Sequence, residues 1–118
     1  MTRNKKSNQV VSNYDLLPTF ADMLNVELGT EKDGVSILPI LTGKKKELKK
    51  ERMVFVNSPE GPAVVSSGHW KLRYNKNREE YRLHYLPDDY REERIVNDKH
   101  PEVLEKLKEA LSPYIPKK

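Results

Sequence analysis

Histidine is the first residue type in this sequence that could do chemistry, because a neutral imidazole can bind a metal ion or transfer a proton. The chain has three histidines, His69, His84 and His100. Their separations match no metal-binding motif such as H-E-x-x-H. His84 shares a predicted strand face with Arg82, so it is predicted to be solvated. His69 lies in a predicted turn beside Trp70, where an exposed imidazole could touch a ligand.

The acidic residues are the second candidates, and they cluster at Asp88, Asp89, Glu92 and Glu93. A calcium loop of the EF-hand type needs a glycine at its sixth position, and this segment has none. A solvated turn, or ion pairs with nearby arginines, is predicted instead. The serines lack a nucleophile-elbow context, and the chain has no glycine-rich phosphate loop. The absence of cysteine excludes disulfides, thiolate metal sites and a thiol nucleophile. These residues predict no complete catalytic site.

The distribution of charge along the chain allows two interpretations of its basic segment. The net charge is +4, from 22 basic and 18 acidic side chains, which is too small an excess to indicate nucleic-acid binding. Much of the excess lies in Lys44–Arg52 and at the two ends of the chain. A solvated loop or frayed helix is the first interpretation of that run. The alternative is a non-catalytic binding module for sulfated or phosphorylated polyanions, because clustered like charges attract such groups.

The length of 118 residues is enough for one modest domain. The composition is 36% apolar and 34% charged, and the mean hydropathy is −0.85. The apolar residues are clustered, which predicts folded segments separated by charged loops. No run of about 18 apolar residues is present, so no membrane span is predicted. The basic start Met1–Lys6 is not followed by an apolar stretch, so it is not predicted to be a secretory signal.

The first half of the chain carries a helical pattern after Asp15, a predicted helix cap. Its apolar residues recur at the spacing of one helix face: Leu17, Phe20, Ala21 and Leu24. Leu16 and Met23 widen this apolar surface, so the helix requires cover on more than one side. Asn25 is predicted to end it. The apolar residues between Val35 and Leu41 predict a short helical turn that plugs a core.

The second half carries the pattern of a sheet followed by a helix. Short β-rich runs lie at 53–56, 63–66, 70–74 and 81–86. In the third run, Trp70, Leu72 and Tyr74 alternate with Lys71 and Arg73, which predicts one apolar and one wet face. An apolar stripe then follows Pro101: Val103, Leu104, Leu107, Ala110 and Leu111. The predicted class is α+β: an antiparallel sheet of three to four strands packed on a C-terminal amphipathic helix, preceded by an N-terminal helix and connector.

Several longer motifs point to a family. They are V-V-S-N-Y-D-L-L-P-T-F-A-D-M-L-N-V, D-G-V-S-I-L-P-I-L-T-G-K, G-P-A-V-V-S-S-G-H-W-K-L-R-Y, Y-R-L-H-Y-L-P-D-D-Y-R-E-E and H-P-E-V-L-E-K-L. In this order, from about Gln9 to Leu111, they resemble the segment that follows the catalytic domain in type I sulfatases of the bacterial polysaccharide-degrading kind. Two positions depart from the family pattern: Tyr90 replaces a usual proline, and Ile95 lies where the family often has asparagine.

The resemblance implies sulfate-ester hydrolysis by a formylglycine, made from a C/S-x-P-S-R motif, together with calcium. That motif is absent from this chain, and the family's metal ligands lie upstream of the matched region. The resemblance therefore implies no catalytic residue and no metal ligand here, and it places formylglycine and calcium only in a catalytic domain of the parent protein. Residues 1–52 are expected to be a connector whose helix packs on that missing domain, and residues 53–118 a C-terminal subdomain.

The same resemblance suggests where a substrate would touch this chain. In such enzymes the C-terminal subdomain can line one wall of the substrate cleft, and the loop Asn57–Glu60 and the turn at His69 are the candidates, with a sulfated glycan as the ligand. The chain by itself is then a non-catalytic portion of a sulfatase, and the parent is expected to be periplasmic or secreted. Self-association through the exposed N-terminal helix is a third interpretation.

Overall fold

The computed structural model describes residues 4–30, 33–48 and 51–117. The chain divides into two compact units, residues 1–50 and residues 51–118. The first unit contains helices α1 and α2, and the second contains strands β1 to β4 and helix α3. Their bounds are Leu16–Met23 (α1), Leu38–Leu41 (α2), Met53–Ser58 (β1), Gly61–Ser66 (β2), Trp70–Asn75 (β3), Glu80–Tyr85 (β4) and Pro101–Leu111 (α3). Within the described ranges, every helix is too short or too polar to cross a bilayer.

The second unit is a four-stranded antiparallel sheet in the order β1-β2-β3-β4. One row of apolar side chains crosses it, because Phe55 pairs with Val64, Val64 with Leu72, and Leu72 with Leu83. Helix α3 covers this face with its apolar stripe, and the core joins the central residues of the row to two leucines of the helix: Val64, Leu72, Leu83, Leu107 and Leu111. The predicted α+β class is confirmed.

Asn97 covers the outer edge of β4. Its Oδ1 accepts a hydrogen bond from the Leu83 backbone N–H at 2.8 Å, and its Nδ2 donates to the Tyr81 carbonyl at 2.8 Å. The side chain therefore takes the place of a fifth strand along two residues, which satisfies edge groups that would otherwise need water or a partner. Ile95, two residues before Asn97, is 53% exposed.

The first unit is held together by polar side chains of α1 and the turn before it. The Asp15 carboxylate accepts hydrogen bonds from the backbone N–H groups of Ser12, at 2.8 Å, and Val35, at 3.0 Å. The Thr19 hydroxyl donates to the Asp15 carbonyl and accepts from the Ile37 N–H at 3.0 Å. Asp15 and Thr19 are buried. We call this set of hydrogen bonds, which joins the start of α1 to residues 35–37, the α1 clamp.

Helix α1 ends as the sequence predicts. Asn25 takes a left-handed conformation, with φ 53°, and the Val26 N–H bonds back to the Ala21 carbonyl at 2.8 Å. This is a Schellman-type ending, in which asparagine substitutes for the more usual glycine. The residues of Val35–Leu41, by contrast, are only half-buried. The predicted helical turn is present as α2, but these residues do not form a buried core, and Val35 and Ile37 contact Asp15 and Thr19 through their backbone N–H groups.

The apolar face of α1 is exposed. Its large side chains are between 43% and 73% accessible to solvent: Leu16, Leu17, Phe20, Met23 and Leu24. A helix in a soluble domain usually turns its apolar stripe inward and its polar residues outward. Helix α1 instead buries small or polar residues, namely Thr19, Ala21 and Asp15 at its start, and exposes its large apolar side chains. The wide apolar surface seen in the sequence therefore lacks cover among the described residues.

Candidate functional site

The candidate site lies on the face of the sheet opposite α3, which we call the open face. Two rows of side chains cross it. In the first, Val56 pairs with Ala63, Ala63 with Arg73, and Arg73 with Arg82. The second row likewise runs from apolar residues on β1 and β2 to basic ones on β3 and β4: Val54, Val65, Lys71 and His84. The open face is therefore apolar on one side and cationic on the other.

A cavity of about 280 Å³ lies on the open face. The β1–β2 hairpin closes one end of it, and β3, β4 and the segment after β4 form the rest. Cations, amides, a hydroxyl and two carboxylates line it: Asn57, Ser58, Glu60, Lys71, Arg73, Asn75, Arg82 and Glu92. Polar groups thus converge in one concave place, and in ligand sites such groups fix the orientation of the ligand.

Glu92 bridges two of the cations that line this cavity, Lys71 and Arg73. Its carboxylate forms an ion pair with Lys71 and a second with Arg73, where Oε2 lies 3.5 Å from Nη1. Arg73 also reaches Glu60, with Nη2 3.0 Å from Oε2. The side chains of Lys71 and Glu92 are only 25% and 19% exposed, so solvent screens their ion pair less than a fully exposed one. Arg82 is engaged separately by Glu80, 2.9 Å from its Nε.

His84 is buried, with 1% of its surface exposed, so the prediction that it is solvated is wrong. The segment after β4 folds back over this end of the open face. The His84 Nδ1 lies 2.9 Å from the Arg94 carbonyl and 3.4 Å from the Asp89 carboxylate. Strand alternation correctly placed His84 on the face away from α3, but it could not show that a later segment covers that face.

The turn that carries Glu92 is wound around the Asp89 carboxylate. This carboxylate accepts hydrogen bonds from the backbone N–H groups of Glu93, at 2.9 Å, and Arg94, at 2.8 Å. Glu92 has a φ of 58°, a conformation that residues with a Cβ seldom adopt, and its N–H bonds to the Asp89 carbonyl at 3.0 Å. Asp89 is buried, so it is not the solvated turn residue predicted from the sequence. It fixes the position from which Glu92 reaches Lys71 and Arg73.

The pKa of Asp89 is held below its ordinary value of 3.8, first by the hydrogen bond from the Glu93 N–H, and also by the Arg94 N–H and His84. A lowered carboxyl pKa stabilises the fold above the unfolded-state value, and this stabilisation disappears as pH falls from about 3.8 toward the folded-state pKa. We expect Asp89→Asn to lower the free energy of unfolding near neutral pH and to differ less from wild type below about pH 4. Urea unfolding at a series of pH values measures this difference. The control is Asp88→Asn, whose side chain is exposed; an equal effect at both positions would contradict the expectation.

The structure brings together two of the three residues predicted to contact a ligand. Asn57 and Glu60 both line the cavity, while His69 lies in the β2–β3 turn at the other end of β2. The sequence did not single out Lys71, Arg73 or Glu92 as site residues. Alternation along β3 placed the two basic residues on one face, but the contact with Glu92 depends on a turn about twenty residues later.

The described residues offer no site for the family's metal. In ranges 4–30, 33–48 and 51–117, His, Asp and Glu side chains do not group in threes in a way that could hold an ion. A formylglycine requires a C/S-x-P-S-R motif, which this sequence lacks. The charged and amide side chains of the open face can bind a ligand through charge and hydrogen bonds.

Comparisons with known proteins identify the fold. No protein-family model matches the chain. A stretch of 65 residues is 42% identical to an extracellular sulfatase SULF-1 homolog of Drosophila melanogaster, covering 55% of this chain and 5% of that protein. A solved 2-O glycosaminoglycan sulfatase matches with a TM-score of 0.68 and 23% identity, over 85% of this chain and 23% of its own. A protein of the glycosaminoglycan-metabolising locus of Bacteroides thetaiotaomicron matches with a TM-score of 0.65 and 22% identity, over 84% and 24%.

These matches confirm the resemblance to sulfatases that the motifs predicted. The chain has the fold of one part of these proteins and spans about a quarter of the length of the solved ones, 23% and 24%. The findings fit a C-terminal portion of a sulfatase, and they do not favour the alternative of a separate polyanion-binding module.

Proposed function

We propose that this chain serves as the C-terminal portion of a sulfatase, without catalytic residues of its own, and packs on a catalytic domain through α1. The observation that carries the proposal is the match over 85% of this chain to only 23% of a sulfatase. The exposed apolar face of α1 supports it independently. Formylglycine and calcium belong, in this proposal, to the catalytic domain.

The α1 clamp packs one side of the helix against residues 35–37, and the large apolar side chains on its other side remain exposed. This exposed apolar face supports docking. Full burial of a leucine or phenylalanine side chain contributes about 1.5–3 kcal/mol relative to full exposure. Leu17 and Phe20, each 54% exposed, still have roughly half of that contribution available. A surface with several such side chains in one stripe is typical of a contact with another protein surface. The rest of the same sulfatase polypeptide is the occupant that the coverage favours.

The open face supplies the second part of the proposal, a wall of the substrate cleft for a sulfated glycan. Asn57 and Glu60 lie on this wall, and a glycan ring offers hydroxyl groups to both. The matched solved sulfatases include a glycosaminoglycan sulfatase, and glycosaminoglycans are sulfated polysaccharides. A secreted or periplasmic parent agrees with such a substrate and with the extracellular relative.

The first test is an assay of the purified 118-residue chain with an aryl sulfate and calcium. We expect no sulfate release, because the sequence lacks the formylglycine motif and the residues that the structure describes hold no cluster of three metal-binding side chains. Turnover by the purified chain would overturn the proposal. The reading frame before the Met1 codon provides a second test: we expect a C/S-x-P-S-R motif there, and a frame without one would contradict the proposal.

The docking role of α1 is tested in the longer polypeptide. Leu17→Glu with Phe20→Glu should reduce sulfate release about tenfold or more and expose the connector to trypsin, since two apolar contacts are replaced by charges. Ile95→Glu is the matched control, because Ile95 is 53% exposed but lies outside α1. Unchanged activity and trypsin resistance in the double variant would contradict docking. If the double variant instead converts a dimer to an active monomer, the face binds a second copy of the chain.

A further inference from the structure

The cavity on the open face has the size and lining for one small polar ring. Its volume of about 280 Å³ lies just below the range of about 300–1,000 Å³ that holds drug-sized ligands. Asn57, Ser58 and Asn75 lie at the end formed by the strand turns, where amide and hydroxyl groups can meet the hydroxyls of a ring. Val56, Ala63 and Tyr74 also contribute to the lining, but most of the lining side chains are polar or charged, so recognition here depends chiefly on hydrogen bonds and charge.

Lys71 and Arg73 provide the charge for an oxyanion. They lie on the same face of β3, two residues apart, and both already bind one carboxylate, that of Glu92. The Glu92 carboxylate is itself an oxyanion held between the two cations. The spacing of Lys71 and Arg73 therefore suits an oxyanion of a ligand. Guanidinium and ammonium donors bind sulfate or carboxylate oxygens through charge-assisted hydrogen bonds.

Glu92 reaches this position because its backbone adopts an uncommon conformation. Its φ of 58° lies in the left-handed region, which a residue with a Cβ seldom adopts. The hydrogen bonds to Asp89 hold the turn in this form. The carboxylate is thus tethered over the two cations, and a ligand must displace it to reach them.

We propose that the cavity binds a single sulfated sugar ring, that Lys71 and Arg73 take its sulfate group, and that Glu92 is a built-in competitor for the same cations. The choice of sulfate among the oxyanions rests on the proposed sulfatase function. A ligand must make more contacts with the site than Glu92 loses when it is displaced. Free sulfate and unsulfated sugars each make fewer contacts than the sulfated ring, so they bind more weakly.

The test is a titration of the isotope-labelled chain with glucosamine 6-sulfate, followed by amide NMR. We expect amide signals of β3 and the β1–β2 hairpin to shift. Glu92→Gln should tighten binding about three- to tenfold, since a competing charge is removed. Lys71→Gln and Arg73→Gln should each weaken it about tenfold or more. Inorganic sulfate and glucosamine, titrated separately, should each bind more weakly than the sulfated sugar.

The matched controls come from another ion pair of the same unit. Lys106 pairs with Glu51 at 3.4 Å on the α3 side, away from the cavity. Lys106→Gln and Glu51→Gln change the net charge in the same way as the site variants but should leave the affinity unchanged. The amide spectrum of each variant shows whether it is folded, and Lys71→Gln and Arg73→Gln test the same cation pair independently.

Three outcomes would overturn the inference. In the first, Glu92→Gln binds the sulfated sugar no more tightly than wild type. In the second, the Lys71 and Arg73 variants bind it as tightly as the Lys106 control. In the third, the amide signals that shift are confined to Lys44–Leu48. The last would assign binding to the basic run. These outcomes would also remove the cleft-wall part of the proposed function, but they leave the assignment as a non-catalytic portion of a sulfatase intact, because the aryl sulfate assay, the search for the formylglycine motif and the α1 variants test that assignment separately.

Discussion

Replacing Gly34 with alanine is expected to open the α1 clamp. A Cβ at this position would lie 2.0 Å from the Tyr14 carbonyl oxygen, a backbone atom that cannot move aside cheaply. The neighbouring Val35 and Ile37 N–H groups would then lose their bonds to Asp15 and Thr19. An unsatisfied buried polar group costs about 1–3 kcal/mol, so the clamp should weaken by about 2–4 kcal/mol.

Native-state hydrogen exchange measures this loss directly, because Val35 and Ile37 donate the bonds concerned. We expect their amides to exchange roughly 30- to 1,000-fold faster in Gly34→Ala. Gly29→Ala is the matched control, since a Cβ there would meet no atom within 4 Å. Equal protection of the two amides in Gly34→Ala and wild type would show that the clamp does not depend on this close approach.

Leu72→Ala is expected to destabilise the second unit by about 2–5 kcal/mol, the usual cost of a buried leucine-to-alanine change. Leu72 is fully buried at the centre of the apolar row, with Val64 and Leu83 as its strand neighbours. Domains of this size have small total stability, so a loss of this magnitude should leave much of the unit unfolded in mild denaturant.

Urea unfolding followed by the fluorescence of Trp70, the single tryptophan, measures the effect. Trp70 packs against the same core and contacts the Tyr85 ring at a tilt, with ring centroids 4.6 Å apart. Ile95→Ala is the control, because Ile95 is 53% exposed and its truncation should change the stability by less than about 0.5 kcal/mol. A Leu72→Ala transition at the wild-type urea concentration would contradict the assigned core.

The sheet and α3 were predictable because their patterns are local. Alternation along Trp70–Tyr74 is a period of two within one strand, and the stripe of α3 is a helical period within one helix. The clamp was only partly predictable. Asp15 carried the signal of a helix cap, but its carboxylate also binds the Val35 N–H, 20 residues away.

The candidate site was harder to predict, because it too depends on contacts between residues far apart in the sequence. The family resemblance makes Asn57 and Glu60 candidates through the loop in which they lie, and both line the cavity. Glu92 was assigned to a solvated or ion-pairing turn, and its role depends on a left-handed backbone that only the folded turn around Asp89 creates. Contacts between a strand and a later turn leave no periodic signal in the sequence.

The α1 clamp also bears on the proposed docking of α1. A segment that orders itself while it binds loses conformational entropy at that moment, which lowers its affinity. The clamp fixes α1 against residues 35–37 beforehand, so the helix presents its leucines and Phe20 as a preorganised surface. Variants that loosen the clamp should therefore weaken association without altering a single residue of the contact face.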